Sequence, residues 1–342
     1  MTEKCTICGS ELGEAYRCPG CGFDRRGDFV GLRAVALVGK RDLYEHMVRR
    51  AGVKLVQDGE KLRGAAFAAQ SEGISAKTLV ELIASDKFQV SGGVLVKYRG
   101  KDKEVDVPDG IMAIGHHAFD GCEWITRITL PRTVMFIGEA AFARCTALTE
   151  ITLPEELLAF GDNAFRLCLA LRGVEIPPGV RKLSEGVFAD CQSLSNLTIP
   201  GSVETIEKHA AGGCQNLLRL EIGKGVKKIG YGAFMYARGL SDVVIPKSVE
   251  TIETGAFSHC AGLTRVEIQE GVKNIEEWSF LKCERLQTVI LPKSVEKINE
   301  QAFLYCNALT RIIVPWGTRE RIGKMLDPKL RPKVKESWGG RI

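Results

Sequence analysis

A two-residue block returns every 23 residues without a slip, and no other feature of the chain limits its fold so tightly. The block stands at Ala118-Phe119, Ala141-Phe142, Ala164-Phe165, Val187-Phe188, Ala210-Ala211, Ala233-Phe234, Ala256-Phe257, Ser279-Phe280 and Ala302-Phe303. Nine tandem units with no insertion predict a solenoid, in which equivalent residues stack in columns and each column can be read by itself. Such arrays present surface to partners far more often than they catalyse.

The columns agree with one another. Four residues after the block's first position stand Cys122, Cys145, Cys168, Cys191, Cys214, Ala237, Cys260, Cys283 and Cys306, and three further on Ile125 is followed by a run of leucines from Leu148 to Leu309. Next comes an apolar alternation closed by proline, as in Leu197-Thr198-Ile199-Pro200 and Val243-Val244-Ile245-Pro246. Alternation over so few residues gives a half-buried strand, and a proline that cannot donate to the ladder ends it. A second apolar pair follows, such as Val203 with Ile206. Strands stacked roughly 4.8 Å apart would carry nine units over about 45 Å.

The succession Leu-x-x-Ile-x-Ile-Pro, Val-x-x-Ile-Gly and Ala-Phe-x-x-Cys resembles the BspA-type leucine-rich repeat, over about residues 105–315. The resemblance implies a curved, right-handed leucine-rich-repeat array used for adhesion and protein binding, and it implies no catalytic residues. Two repeats depart from the pattern. The fifth has Ala210-Ala211-Gly212-Gly213 and the sixth has Ala237 in the cysteine column. A lost buried Phe costs about 3–5 kcal/mol unless neighbours collapse into the space. We read these departures as drift tolerated by a long array, with a local bend near residues 210–213 as the sharper alternative.

Of the twelve cysteines, eight belong to the ladder, where an interior thiol serves as a small apolar filler. The other four form Cys5-x2-Cys8 and Cys18-x2-Cys21, each pair closed by a glycine, Gly9 or Gly22. Two such turns can aim four thiolates at one tetrahedral Zn²⁺. A module this short cannot bury a core, so the metal would supply its folding free energy. The arrangement resembles the short zinc ribbon of bacterial proteins. Four protein ligands leave no open position for hydrolysis, which makes the expected site structural. Iron in the same sulfur cage and a redox pair are the alternatives.

The expected organisation is therefore α+β: a zinc ribbon over 1–23, a small helical region over 24–88, a capping hairpin over 89–104, the repeats over 105–315, and a capping helix with a basic tail over 316–342. The hairpin rests on alternating runs around Gly92-Gly93. The C-terminal helix is expected from Arg319 to Leu326 with Thr318 as its N-cap. The tail holds eight Lys/Arg against three Asp/Glu, whereas the array holds 21 against 25. Phosphate backbones call for a basic stripe on one continuous face, so this distribution disfavours nucleic acid as the partner.

No apolar run approaches the ~18 residues of a membrane span, and Met1-Thr2-Glu3-Lys4-Cys5 opens no signal-peptide core, so a cytoplasmic protein is expected. Enzyme readings find no phosphate loop, no nucleophile elbow and no His-Glu-x-x-His among five scattered histidines. One exposed column alternates in sign through Arg181, Glu204, Lys227, Glu250, Lys273 and Glu296, which supports stacking and needs no ligand. The turns beside the block do carry a bias. Tyr231, Tyr236, His259, Trp278 and Tyr305 stand where early repeats have Asp120, Arg144, Asp190 or Gly213. Aromatic enrichment outside a core marks an interface, so Tyr231, Tyr236, Trp278 and Tyr305 are the candidate docking residues for a protein partner. Packing beneath the C-terminal cap is the competing expectation. The function read from the sequence is a non-catalytic interaction scaffold with a structural zinc ribbon. A nucleic-acid-associated protein using ribbon and tail, or an adhesin exported by an unconventional route, are the alternatives.

Overall fold

The computed structural model describes residues 87–91 and 94–337, with two further short strands, Glu3–Lys4 and Glu11–Leu12, paired antiparallel. Cys5, Cys8, Cys18 and Cys21, the helical region from 24 to 86, Gly92-Gly93 and the last five residues lie outside the described residues.

The apolar alternation of each repeat forms a strand that stacks in parallel on its neighbours, as in Asn196–Ile199 on Arg219–Ile222 and Asp242–Ile245 on Arg265–Ile268. Alternate residues point in and out, so Leu197 and Ile199 are buried while Asn196 and Thr198 are exposed. The second apolar pair makes shorter parallel ladders of two-residue strands in two sheets, from Ala113–Ile114 to Ala159–Phe160 and from Lys182–Leu183 to Lys297–Ile298. Turns carrying the Ala-Phe block close each coil.

The rungs outnumber the blocks. Long-strand positions run from Glu104–Asp106 to Val334–Ser337, with an isolated bridge at Gly173, which makes about eleven turns rather than nine. The outermost rungs carry no Ala-Phe block, so counting blocks misses them. In particular Val334–Ser337, expected as part of a basic tail, pairs in parallel with Arg311–Pro315. The helix before it spans Arg319–Met325. Thr318 does not cap it through its side chain: its hydroxyl donates to the Pro315 carbonyl at 2.6 Å instead. At the other end Phe88–Ser91 and Val94–Tyr98 pair antiparallel, and Val94–Leu95 joins the short ladder beside Ala113–Ile114.

Inside, the Phe column is a stack of nearly parallel rings. Successive centroids are 5.1 to 5.6 Å apart from Phe119 to Phe188, and 5.2 to 5.5 Å from Phe234 to Phe303. The Cys column does more than fill space. Every ladder thiol except that of Cys122 donates to the carbonyl of the Phe 26 residues earlier, as from Cys145 to Phe119 at 3.2 Å and from Cys306 to Phe280 at 3.1 Å. Burial pushes the thiols of Cys168, Cys214 and Cys260 up to about 12.

The two departures from the repeat pattern meet at one step. Residue 237 is 26 beyond residue 211, so the thiol missing at Ala237 is the one that would bond the carbonyl of Ala211, where the ring is also missing. At this step the long ladder is interrupted: Arg219–Ile222 closes one sheet and Asp242–Ile245 opens another. The coil stays joined elsewhere, through Glu250 N–H to the Lys227 carbonyl at 2.8 Å and Ala211 N–H to the Ala233 carbonyl at 2.8 Å. Residues 210–213 themselves stay bonded to the next coil, and the interruption lies beyond them, on the long-strand face between Arg219–Ile222 and Asp242–Ile245. The long ladder is also interrupted one repeat before Asn196–Ile199, where Glu150–Thr152 closes a three-stranded sheet and Gly173 keeps only a single bridge, to Asn196.

Candidate protein-docking surface

Every turn segment presents two edges flanking the buried Ala-Phe block, and the chain puts left-handed residues on both. The residue just before the block has positive φ at His117, Ala140, Asn163, Gly186, His209, Gly232, Gly255 and Trp278. The residue four after it does so at Gly121, Arg144, Leu167, Asp190, Gly213, Tyr236, His259, Lys282 and Tyr305. Glycine takes this conformation freely and Asn, Asp and His with small strain, whereas a bulky side chain holds it at a cost of roughly 1–2 kcal/mol. Trp278 (φ 56°), Tyr236 (φ 62°) and Tyr305 (φ 60°) are bulky residues at positions that other rungs give to glycine.

The four candidate residues therefore divide. Tyr231 and Trp278 lie along the edge before the block, and Tyr236 and Tyr305 along the edge after it. On the first edge His209 meets the Tyr231 ring edge-on at 5.1 Å, and the Trp278 indole N–H donates to Gln301 Oε1 at 2.8 Å. On the second, Tyr236 packs against His259 at 4.6 Å with the Arg238 guanidinium 5.8 Å from its ring, and the column continues through Lys282 to Tyr305. Burial, with help from Lys282 and Arg238, lowers the His259 pKa, so this imidazole is neutral at pH 7 beside two cations. His209, Arg238 and Lys282 are members of this surface that the sequence reading passed over; their fixed offsets from the block could have found them.

Exposure argues against the cap-packing expectation. Tyr231, Trp278 and Tyr305 are 45%, 40% and 56% exposed, and Tyr236 is half-buried against its neighbours in the turns. The capping helix packs instead on the last two long strands. The alternating charge column is realised at one contact, Lys227 with Glu204 at 2.9 Å, and most other rung-to-rung ion pairs fall in different columns, such as Lys208 with Glu185 at 2.8 Å. Among the described residues no group of three or more His, Cys, Asp or Glu side chains could hold a metal ion, and no helix is long and apolar enough to cross a membrane.

Stacked parallel rungs, a ring ladder and an aromatic edge define a leucine-rich-repeat solenoid, a class made up in general of scaffolds rather than catalysts. The chain belongs to the BspA type leucine rich repeat region family, which it matches over residues 98–218 and 212–325. No curated protein matches it in sequence. Among solved structures it is similar to the leucine-rich repeat protein of T. pallidum, with 28% identity, 56% of this chain and 82% of that one covered, and a TM-score of 0.43. It is also similar to a leucine-rich cell surface protein of Faecalibacterium prausnitzii, at 22% identity, 68% and 93% coverage and a TM-score of 0.30. The pneumococcal vaccine antigen PcpA gives 17% identity, 69% and 66% coverage and a TM-score of 0.46.

Proposed function

We propose that the protein is a non-catalytic scaffold whose C-terminal half docks a protein partner through the turn edges at Tyr231, Tyr236, Trp278 and Tyr305. The observation carrying this reading is the placement of Tyr236 and Tyr305 in the left-handed column where earlier rungs hold Gly121, Arg144, Leu167, Asp190 and Gly213, and of Trp278 in the one where they hold His117, Ala140, Asn163 and Gly186, with Tyr231 45% exposed beside them. Backbone strain of this kind persists where a side chain is needed at the surface. Buried aromatic anchors dominate interface energetics, and losing one can cost about 2 kcal/mol or more.

The test is comparative capture by intact wild-type protein and by Trp278→Ala, at low and at moderate salt. Loss of the same partner by tens-fold in the variant supports the docking edge. An unchanged capture profile refutes the placement. Capture that disappears steeply with salt and is abolished by nuclease would favour the nucleic-acid alternative.

The same reading includes a structural Zn²⁺ held by Cys5, Cys8, Cys18 and Cys21. Its support is the paired Cys-x2-Cys spacing. We place the protein in a reducing compartment such as the cytoplasm, because the eight ladder cysteines are free thiols committed to Phe carbonyls or to burial rather than to disulfides.

A further inference from the structure

Between the two turn edges of the C-terminal half runs a middle column, Met235, Ser258, Leu281 and Leu304, in register with Asp120 and Arg166 of the early rungs. Met235, Leu281 and Leu304 are half-buried and Ser258 is buried, while Tyr231, Trp278 and Tyr305 on the edges are exposed. The face is therefore a shallow, mostly apolar floor between two aromatic rims, four rungs long.

The rims differ in charge. Beside the first, Glu253 and Glu276 are held by Lys228 and Lys297, at 2.7 and 3.1 Å, whereas Glu277 and Glu300 enter no ion pair among the described residues. Four acids against two lysines leave this rim negative. Beside the second stand Arg238, Lys282 and Arg285, all exposed and in no ion pair among the described residues, with Glu284 the one acid on the same four rungs. Three cations against one acid leave that rim positive, and the neutral His259 between Arg238 and Lys282 does not offset it. A partner that fits carries an apolar ridge with cations along one flank and acids along the other.

Rung spacing selects the form of that partner. Beneath this face the rings from Phe234 to Phe303 repeat every 5.2 to 5.5 Å. An α-helix laid along the array presents the same face every ~5.4 Å, so its turns stay in step with the rungs. An extended segment does so every ~6.6 Å and slips by roughly 3–4 Å over three steps. We propose that this surface takes an amphipathic α-helix of the partner, lying along the four rungs. Its apolar stripe rests on Met235, Leu281 and Leu304, its basic flank meets Glu277 and Glu300, and its acidic flank meets Arg238, Lys282 and Arg285. The inference rests on the docking reading above and adds the partner's form and charge. Turning the helix end for end would exchange its flanks, so the two rims also fix its direction.

The experiment titrates the full chain into fluorescein-labelled helical peptides at nanomolar concentration and low ionic strength, read by anisotropy. The first peptide has Leu at heptad positions a and d, Lys at e, Glu at g, and Gln or Ala elsewhere, which puts the two charges on opposite flanks of the apolar stripe. The second has the same composition with Lys and Glu exchanged in alternate heptads, so each flank carries both signs. The segregated peptide is expected to bind about fivefold more tightly, the sum of a few exposed ion pairs. A proline in its central turn breaks the helix and is expected to remove binding. In the triple variant Arg238→Glu, Lys282→Glu, Arg285→Glu both rims are acidic and the preference is expected to vanish, with the urea midpoint held because these side chains are exposed. Equal affinity of the two peptides, failure of both to bind, binding that survives the proline, or a folded triple variant that keeps the preference would each overturn the proposal. Partner capture that depends on Trp278 beside peptides of equal affinity would retain the docking surface and reject the helix, whereas capture indifferent to Trp278→Ala rejects both.

Discussion

Replacing Tyr305 by glycine separates surface from core on the turn edges. Tyr305 is 56% exposed, has φ 60°, and makes no hydrogen bond or ring contact among the described residues, while Gly121 and Gly213 hold the same column at φ 75° and 79°. A little under half of the side chain is covered, about 90 Å², and at about 25 cal/mol/Å² its removal costs at most about 2 kcal/mol. Glycine's greater freedom in the unfolded chain adds a further ~0.5–1 kcal/mol. Against these, relief of the left-handed backbone returns about 1–2 kcal/mol. The expected net loss is about 2 kcal/mol at most. Two residues earlier, Phe303 is 4% exposed and stacks 5.3 Å from Phe280, so Phe303→Ala should cost about 3–5 kcal/mol. Urea denaturation of the two variants beside the wild type gives the comparison, and partner capture by Tyr305→Gly gives the functional arm. A Tyr305→Gly loss as large as that of Phe303→Ala would show that the tyrosine is held for packing, and the argument from strained, exposed edges would fail.

Other outcomes follow from the same columns. Cys18→Ser should release one Zn²⁺ per chain while the urea midpoint of the array holds; metal stoichiometry near zero in the wild type would defeat the zinc assignment. Ladder thiols should resist alkylation in the folded protein and react after denaturation, because at pH 8 a thiol raised to about 12 is only about one part in 10⁴ thiolate. The folded state keeps protons that the unfolded chain gives up above about pH 8.5, so stability is full below that pH and falls as pH rises toward 12. The decline is about 1.4 kcal/mol per unit for each such thiol, and a flat urea midpoint between about pH 9 and pH 11 would contradict it. Ala211→Phe and Ala237→Cys together should stabilise the array by more than the sum of the two alone, since ring and thiol rebuild one contact; strict additivity in denaturation would argue that the positions are uncoupled.

Much of this architecture is written in the register of the chain. The Phe, Cys and Leu columns read off at 23-residue spacing are the buried columns of the structure, since a solenoid turns sequence period directly into stacking. The end rungs were illegible because Val334–Ser337 follows a helix, carries no Ala-Phe block and pairs 22 residues after Ile312 rather than 23. The second duty of the cysteines was hidden too. A small buried thiol and an apolar filler look alike in sequence, and only the Phe carbonyl 26 residues away distinguishes them. The docking residues could be picked out by bulk but not by edge, because Tyr231 and Tyr236 are neighbours in the chain yet lie on opposite sides of a buried block.

Ala211 and Ala237 look like two unrelated lapses in a repeat list. Their 26-residue separation makes them the two halves of one contact, and the long-strand ladder is interrupted at that same step. The missing ring at Ala211 divides the ring stack into Phe119 to Phe188 and Phe234 to Phe303. The large aromatic turn residues, from Tyr231 to Tyr305, all fall on the C-terminal side of the missing ring. A stack with one absent contact loses local cohesion while keeping the neighbours that hold it on both sides, which is where a nearest-neighbour array opens at least cost. The step thus joins a plain N-terminal half, with charged and small edges, to a C-terminal half dressed in amphipathic side chains.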